Sequence, residues 1–84
     1  MSRYFLHLRD GTDEVLDEDG VEHDSAEAMR TDVLNAARDI LAADIKSGVV
    51  DLRFRIEAEN EQGEVVYRLL FKHAFSVIPE ALEA

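Results

Sequence analysis

Asp51-Leu52-Arg53-Phe54-Arg55-Ile56-Glu57-Ala58-Glu59 alternates apolar and charged residues without a break, and that two-residue period decides the fold class. Successive side chains of a strand point to opposite faces of its sheet, so Leu52, Phe54, Ile56 and Ala58 turn inward while Arg53, Arg55, Glu57 and Glu59 turn outward. Asn60 to Gly63 reads as a turn. Glu64 to Lys72 then returns as a second strand, with Val65, Tyr67, Leu69 and Phe71 on one face and Val66, Arg68 and Leu70 on the other.

Upstream of this hairpin the period changes. From Ala26 the apolar residues Met29, Val33, Ala37, Ile40 and Leu41 form one helical stripe, with Leu34 and Ile45 at its edge and Thr31, Asp32, Asn35, Arg38, Asp39 and Lys46 opposite. Asp24 with Glu27 has capping-box spacing, and Ser25 is the alternative N-cap. Gly48 is placed to close the helix, which therefore runs from about Ser25 to Ser47 and spans roughly 34 Å at 1.5 Å per residue. That is long for so small a domain. At the N-terminus Arg3 to Arg9 alternates again, Tyr4, Leu6 and Leu8 against Arg3, Phe5, His7 and Arg9, and Asp10-Gly11 ends it. A short strand around Glu14 to Asp17 follows, then a turn at Asp19-Gly20 and the segment Val21 to His23.

These elements predict an α+β domain of order ββαββ, one long helix packed on one face of a small antiparallel-rich sheet. The strand after the helix could also return parallel to the first by a right-handed crossover. The chain of 84 residues is one domain, its core at about 3–72 and a tail at 73–84. Ala74, Phe75, Val77, Ile78 and Leu82 make the tail apolar, with Pro79 at a possible first helical position. Such a tail packs on the core edge or meets a second chain.

Charge is divided unevenly along the chain. Nine carboxylates lie between Asp10 and Met29, where there is no lysine or arginine, whereas Arg3, Arg9, Arg53, Arg55 and Arg68 fall in predicted strands. The net charge of −10 disfavours nucleic acid and anionic membrane as partners. There is no cysteine, hence no disulfide, thiolate metal site or thiol nucleophile. The N-terminus resembles neither a secretory nor a membrane-spanning segment, so the cytoplasm is expected.

The catalytic and metal chemistries fail one by one. Asp17-Glu18-Asp19-Gly20 looks like part of a calcium loop, but aligning Gly20 with the loop's glycine puts Val15 at the first ligand position and Ala26 at the bidentate one. A solvated acidic hairpin guarding the sheet edge explains it better. His7, His23 and His73 have no metal-ligand spacing, and Ser2, Ser25, Ser47 and Ser76 no nucleophile motif. The four glycines are isolated turn or cap residues, so no phosphate loop exists. No cofactor, metal or catalytic residue is expected. Asp44 follows the buried stripe; the expectation is that it lies past the sheet edge in water, the alternative being a pair with Arg53 or Arg55.

The candidate surface is the sheet face carrying Arg3, Phe5, His7, Arg9, Arg53, Arg55 and Arg68, with Val66 and Leu70. Arginines beside apolar residues suit a protein interface, could clamp a single strand of nucleic acid, or simply pair across strands with Glu57, Glu59 and Glu64. The charge of −10 favours interface or pairing over nucleic acid.

Arg3-Tyr4-Phe5-Leu6-His7-Leu8-Arg9-Asp10-Gly11, Asp17-x-x-Gly20-x-Glu22, Ala36-Ala37-Arg38 and Leu69-Leu70-Phe71 together resemble a family of small bacterial proteins of unknown function, common in rhizobia and other Alphaproteobacteria. The resemblance covers Arg3 to Phe71 and implies a compact cytoplasmic domain with no catalytic residues to carry over. Leu6 stands where that family often has phenylalanine. The layout is also similar to HicB-type antitoxins, acidic proteins that mask a small basic ribonuclease, although their proline-glycine-cysteine element and DNA-binding extension are missing here. The expected function is a noncatalytic protein-interaction or self-associating module; the alternative is an antitoxin-like acidic binder of a basic protein.

Overall fold

The structure, a computed structural model, describes residues 1–81. Leu82, placed above in the apolar tail, and any helix continuing from Pro79 past residue 81 lie outside the described residues. The elements run β1 (Ser2–Arg9), β2 (Glu14–Val15), β3 (Val21–His23), α1 (Ala26–Ser47), β4 (Arg55–Glu59) and β5 (Val65–Leu70), followed by a short 3-10 turn at Phe71–His73. This is the α+β arrangement expected, with the second strand broken in two.

Both pieces pair antiparallel with β1, β2 opposite Leu8 and Arg9 and β3 opposite Ser2 to Tyr4. Asp17 explains the break. Its carboxylate accepts from the Leu6 N–H at 3.2 Å and from the Gly20 N–H at 3.0 Å, so a side chain replaces the missing ladder. Burial would raise the Asp17 pKa, but the amides of Gly20, Leu6 and Asp19 outweigh it and hold the carboxyl below its usual range. On its other side β1 pairs antiparallel with β4, and β4 with β5, giving the order β2-β1-β4-β5. The strand after the helix is thus antiparallel to β1, and the parallel option is not taken.

Gly20 closes the Asp17 loop. At φ +70° it adopts the left-handed conformation, and a Cβ there would lie 2.9 Å from the Tyr4 carbonyl oxygen and 2.8 Å from the Phe5 ring. Gly20→Ala is therefore expected to destabilise by about 2 kcal/mol, read from the urea midpoint, since the backbone oxygen cannot move aside.

Helix α1 is capped as its sequence indicates. The Ser25 hydroxyl, rather than Asp24, accepts from the Ala28 N–H at 3.0 Å, and Gly48 at φ 93° sends its N–H to Asp44 and Ile45. Met29, Val33, Ala37 and Leu41 bury against Ile56, Ala58, Leu69, Phe71 and Ala74, with Tyr4, Leu6, Leu8 and Tyr67 packed around them. Tyr4, Leu6 and Leu8 of β1, Phe54, Ile56 and Ala58, and Tyr67, Leu69 and Phe71 face this core as expected, whereas Leu52 is 45% exposed and a bulge at Ala58/Glu59 sets Val65 opposite the outward-facing Glu59. The 22-residue helix spans about 33 Å, whereas the five residues of β4 span only about 17 Å. The helix outruns the sheet, so its buried stripe ends at Leu41 and Ile45 is 67% exposed.

The strand predicted from Asp51 begins only at Arg55. Asp51 accepts from the Arg53 N–H at 3.0 Å and from its guanidinium, closing a turn, and β1 ends at Arg9 opposite Arg55, leaving no β1 residue for residues 51–54 to pair with.

Candidate functional site

The register builds one polar sheet face opposite the helix. Phe5 sits across from Glu59, His7 from Glu57 and Arg9 from Arg55, while Glu57 faces Arg68 on β5. Arg3, Phe5, His7, Arg9, Arg55 and Arg68 share this face as their alternation indicates. Arg53 does not. It lies in the turn before β4, 78% exposed at its side chain, and binds Asp51 at 2.8 Å. That pairing lowers the Asp51 pKa to about 2.

At the centre of the face stands Glu57, only 4% exposed. Arg9 Nη1 donates to its Oε1 at 2.7 Å, Arg68 Nε donates to Oε2 at 2.5 Å, and Arg55 Nε lies 3.4 Å away. Burial would raise the Glu57 pKa, yet the hydrogen bonds from Arg68 and Arg9 overcome it and bring the carboxyl down to about 2. Arg9 also donates to Glu14 at 2.8 Å, and these two carboxylates raise the Arg9 pKa. Three arginines of the candidate face are therefore engaged by one carboxylate. Arg3 is engaged elsewhere, donating to the Asp19 carbonyl at 2.8 Å and to Glu22 at 3.4 Å. Of the acidic stretch only Glu14 and Glu22 pair with strand arginines, Arg9 and Arg3; the carboxylate that engages most of them, Glu57, lies in β4.

The histidines are built into the same framework. His7 is buried, and its Nδ1 accepts from the Asp17 N–H at 3.1 Å, which puts the proton of the neutral ring on Nε2, 3.7 Å from Glu59. It holds the Asp17 loop down on β1. His23 sits 3.1 Å from the Val21 carbonyl through Nδ1 and 3.0 Å from Asp32 through Nε2. Both neighbours are oxygens, and through them the ring ties β3 to α1. Among the described residues no three His, Asp or Glu side chains gather as a metal site, and no helix is long and apolar enough to cross a membrane. Asp44 is half-buried and accepts the Asp51 N–H at 3.1 Å, so a backbone amide stands where the pair with Arg53 or Arg55 was considered.

A second surface was not singled out by the sequence. Where α1 overshoots the sheet, Arg38, Leu41, Ala42, Ile45, Val50 and Phe75 line an apolar cleft of about 370 Å³. Arg38 Nε donates to the Ala74 carbonyl at 2.8 Å and so anchors the start of the tail beside the helix. Beyond it Val77 is 74% and Ile78 93% exposed. Arg3, Arg9, Arg53, Arg55 and Arg68 each have a carboxylate within 4 Å; among the described residues Arg30, Arg38, Lys46 and Lys72 have none. Arg38 lines the cleft, Lys46 follows Ile45 on the helix, and Lys72 immediately precedes the tail. The signal available in sequence was indirect: a 22-residue helix set against strands too short to cover it.

No curated protein and no solved structure matches the chain. One family model, described as Domain of unknown function (DUF6894), matches residues 3–72, a span that takes in the helix and all of the strands but Ser2, and the chain belongs to this family.

Proposed function

We propose that this chain is a small noncatalytic domain that works by binding protein, and that it associates with itself. The observation that carries the reading is the apolar cleft beside α1, lined also by Arg38, a cation without a carboxylate partner among the described residues, on a chain of net charge −10. An acidic protein repels its own copies at long range, so contact between them is favoured where apolar surface and unpaired positive charge coincide. The arginine face is the weaker candidate, because Glu57 and Glu14 already occupy its donors. Gel filtration with light scattering across a wide concentration range tests the reading. A concentration-dependent dimer is expected, and a strict monomer at the highest concentration would overturn self-association.

A second reading is an acidic binder of a small basic protein. Asp13, Glu18, Asp19, Asp24 and Glu27 favour it, being exposed and without a cation partner among the described residues. Its discriminator is salt: a basic protein encoded beside this one should bind at low ionic strength and leave at high ionic strength.

A further inference from the structure

We infer that the cleft between the last turns of α1 and the start of the tail receives the C-terminal tail of a second copy of this chain. The inference rests on the self-association proposed above and names its contact.

The cleft and the tail are complementary in three respects. The first is apolar content. Leu41, Ala42, Ile45 and Val50 line an open trough, while Val77 and Ile78 emerge from it unaccompanied. The chain's own Phe75 already lies in the trough, and the Arg38–Ala74 hydrogen bond fixes where the tail starts, so the residues that follow lead away from it. The second is charge. Arg38, which has no carboxylate partner among the described residues, lines the cleft, and the tail carries Glu80 two residues after Ile78. A tail from another copy brings its carboxylate to the part of an acidic molecule best able to accept one. The third is backbone form. Residues 74–81 adopt no helix or strand, and Pro79 stiffens the segment that follows Ile78, which lowers the entropy lost on docking.

Reciprocity follows from symmetry. Cleft and tail lie on one chain, so two copies can exchange tails in a closed twofold contact, each giving one tail and receiving one.

Light scattering on the full chain tests this with three samples: Ile78→Asp, Ile45→Asp and their equimolar mixture, against the parent. Both positions are well exposed, so circular dichroism should show both variants folded. The parent is expected to dimerise, each variant to lose affinity by at least about tenfold as removal of a central apolar anchor does, and the mixture to regain a 1:1 complex through its one intact tail and one intact cleft. A parent dimer that both variants retain overturns the tail contact while self-association stands. Loss of the dimer with Ile45→Asp but not Ile78→Asp also overturns it, because the cleft would then hold something other than the tail. A parent that stays monomeric at every concentration overturns self-association itself.

Discussion

Glu57→Gln destabilises the domain by about 3 kcal/mol near neutral pH, the scale expected when one member of a buried charge network is removed and its partners remain. Glutamine keeps the volume and one acceptor but not the charge. Arg9 retains Glu14, whereas Arg55 and Arg68 lose their carboxylate partner and are left as neighbouring like charges. The sign of the pH dependence follows from the lowered pKa. Glu57 moves from 4.5 to about 2 on folding, so its contribution is complete above about pH 4.5 and disappears as the pH falls toward 2. Urea midpoints of parent and variant should differ most near neutrality and converge in acid. Asp10, Asp17 and Asp51 also have lowered pKa values, but they titrate in both proteins and cancel in the difference. A difference that stays constant down to pH 3 or below would mean that Glu57 acts by packing alone.

The legible part of this fold is the part governed by period. Alternation in β1, in β4 and in β5 from Tyr67 onward assigned the two faces, a bulge displacing Val65, and the helical stripe with Ser25 and Gly48 set both ends of α1. Alternation cannot say where pairing stops. Leu52 and Phe54 continue the pattern of β4, yet the strand ends where β1 ends, a limit set by another part of the chain. The split of the second strand was hidden for a related reason: Asp17 replaces backbone ladder bonds with carboxylate ones, and a single aspartate in an acidic run carries no mark of that role.

The polar face was legible in orientation and open in meaning. Sequence spacing brought Arg9, Arg55, Arg68 and Glu57 onto one side, but interface, nucleic-acid clamp and internal pairing share that spacing. Only the short distances to a buried Glu57 decide for pairing. Arg53 shows the cost of extending alternation too far, since its assignment rested on a strand that begins two residues later. The cleft was least legible, because it arises from a length mismatch between helix and sheet together with the path of the tail.

Phe71→Ala is expected to cost about 3–5 kcal/mol, the usual loss for a fully buried phenylalanine. Phe71 is 0% exposed and belongs to the single core cluster with Met29, Val33 and Ala37. Its ring centroid lies 6.0 Å from that of Phe54, and its N–H donates to the Phe54 carbonyl at 3.1 Å. It therefore joins three parts: the end of β5, the turn leading into β4, and the helix. The cavity left by alanine opens where the sheet has ended, beside the buried Ala74, whose carbonyl is held by Arg38, so the surroundings are poorly placed to collapse into it. A domain of 84 residues has a total stability of only about 4–13 kcal/mol, which makes this loss a large share of the whole. Thermal unfolding should fall by about 12 °C or more, at about 4–8 °C per kcal/mol for this size. Phe71→Leu separates volume from anchoring: it keeps most of the apolar surface and should lose less than half as much. If the leucine variant loses as much as the alanine one, the ring's contact with Phe54, rather than the filled volume, is what holds this corner of the domain together.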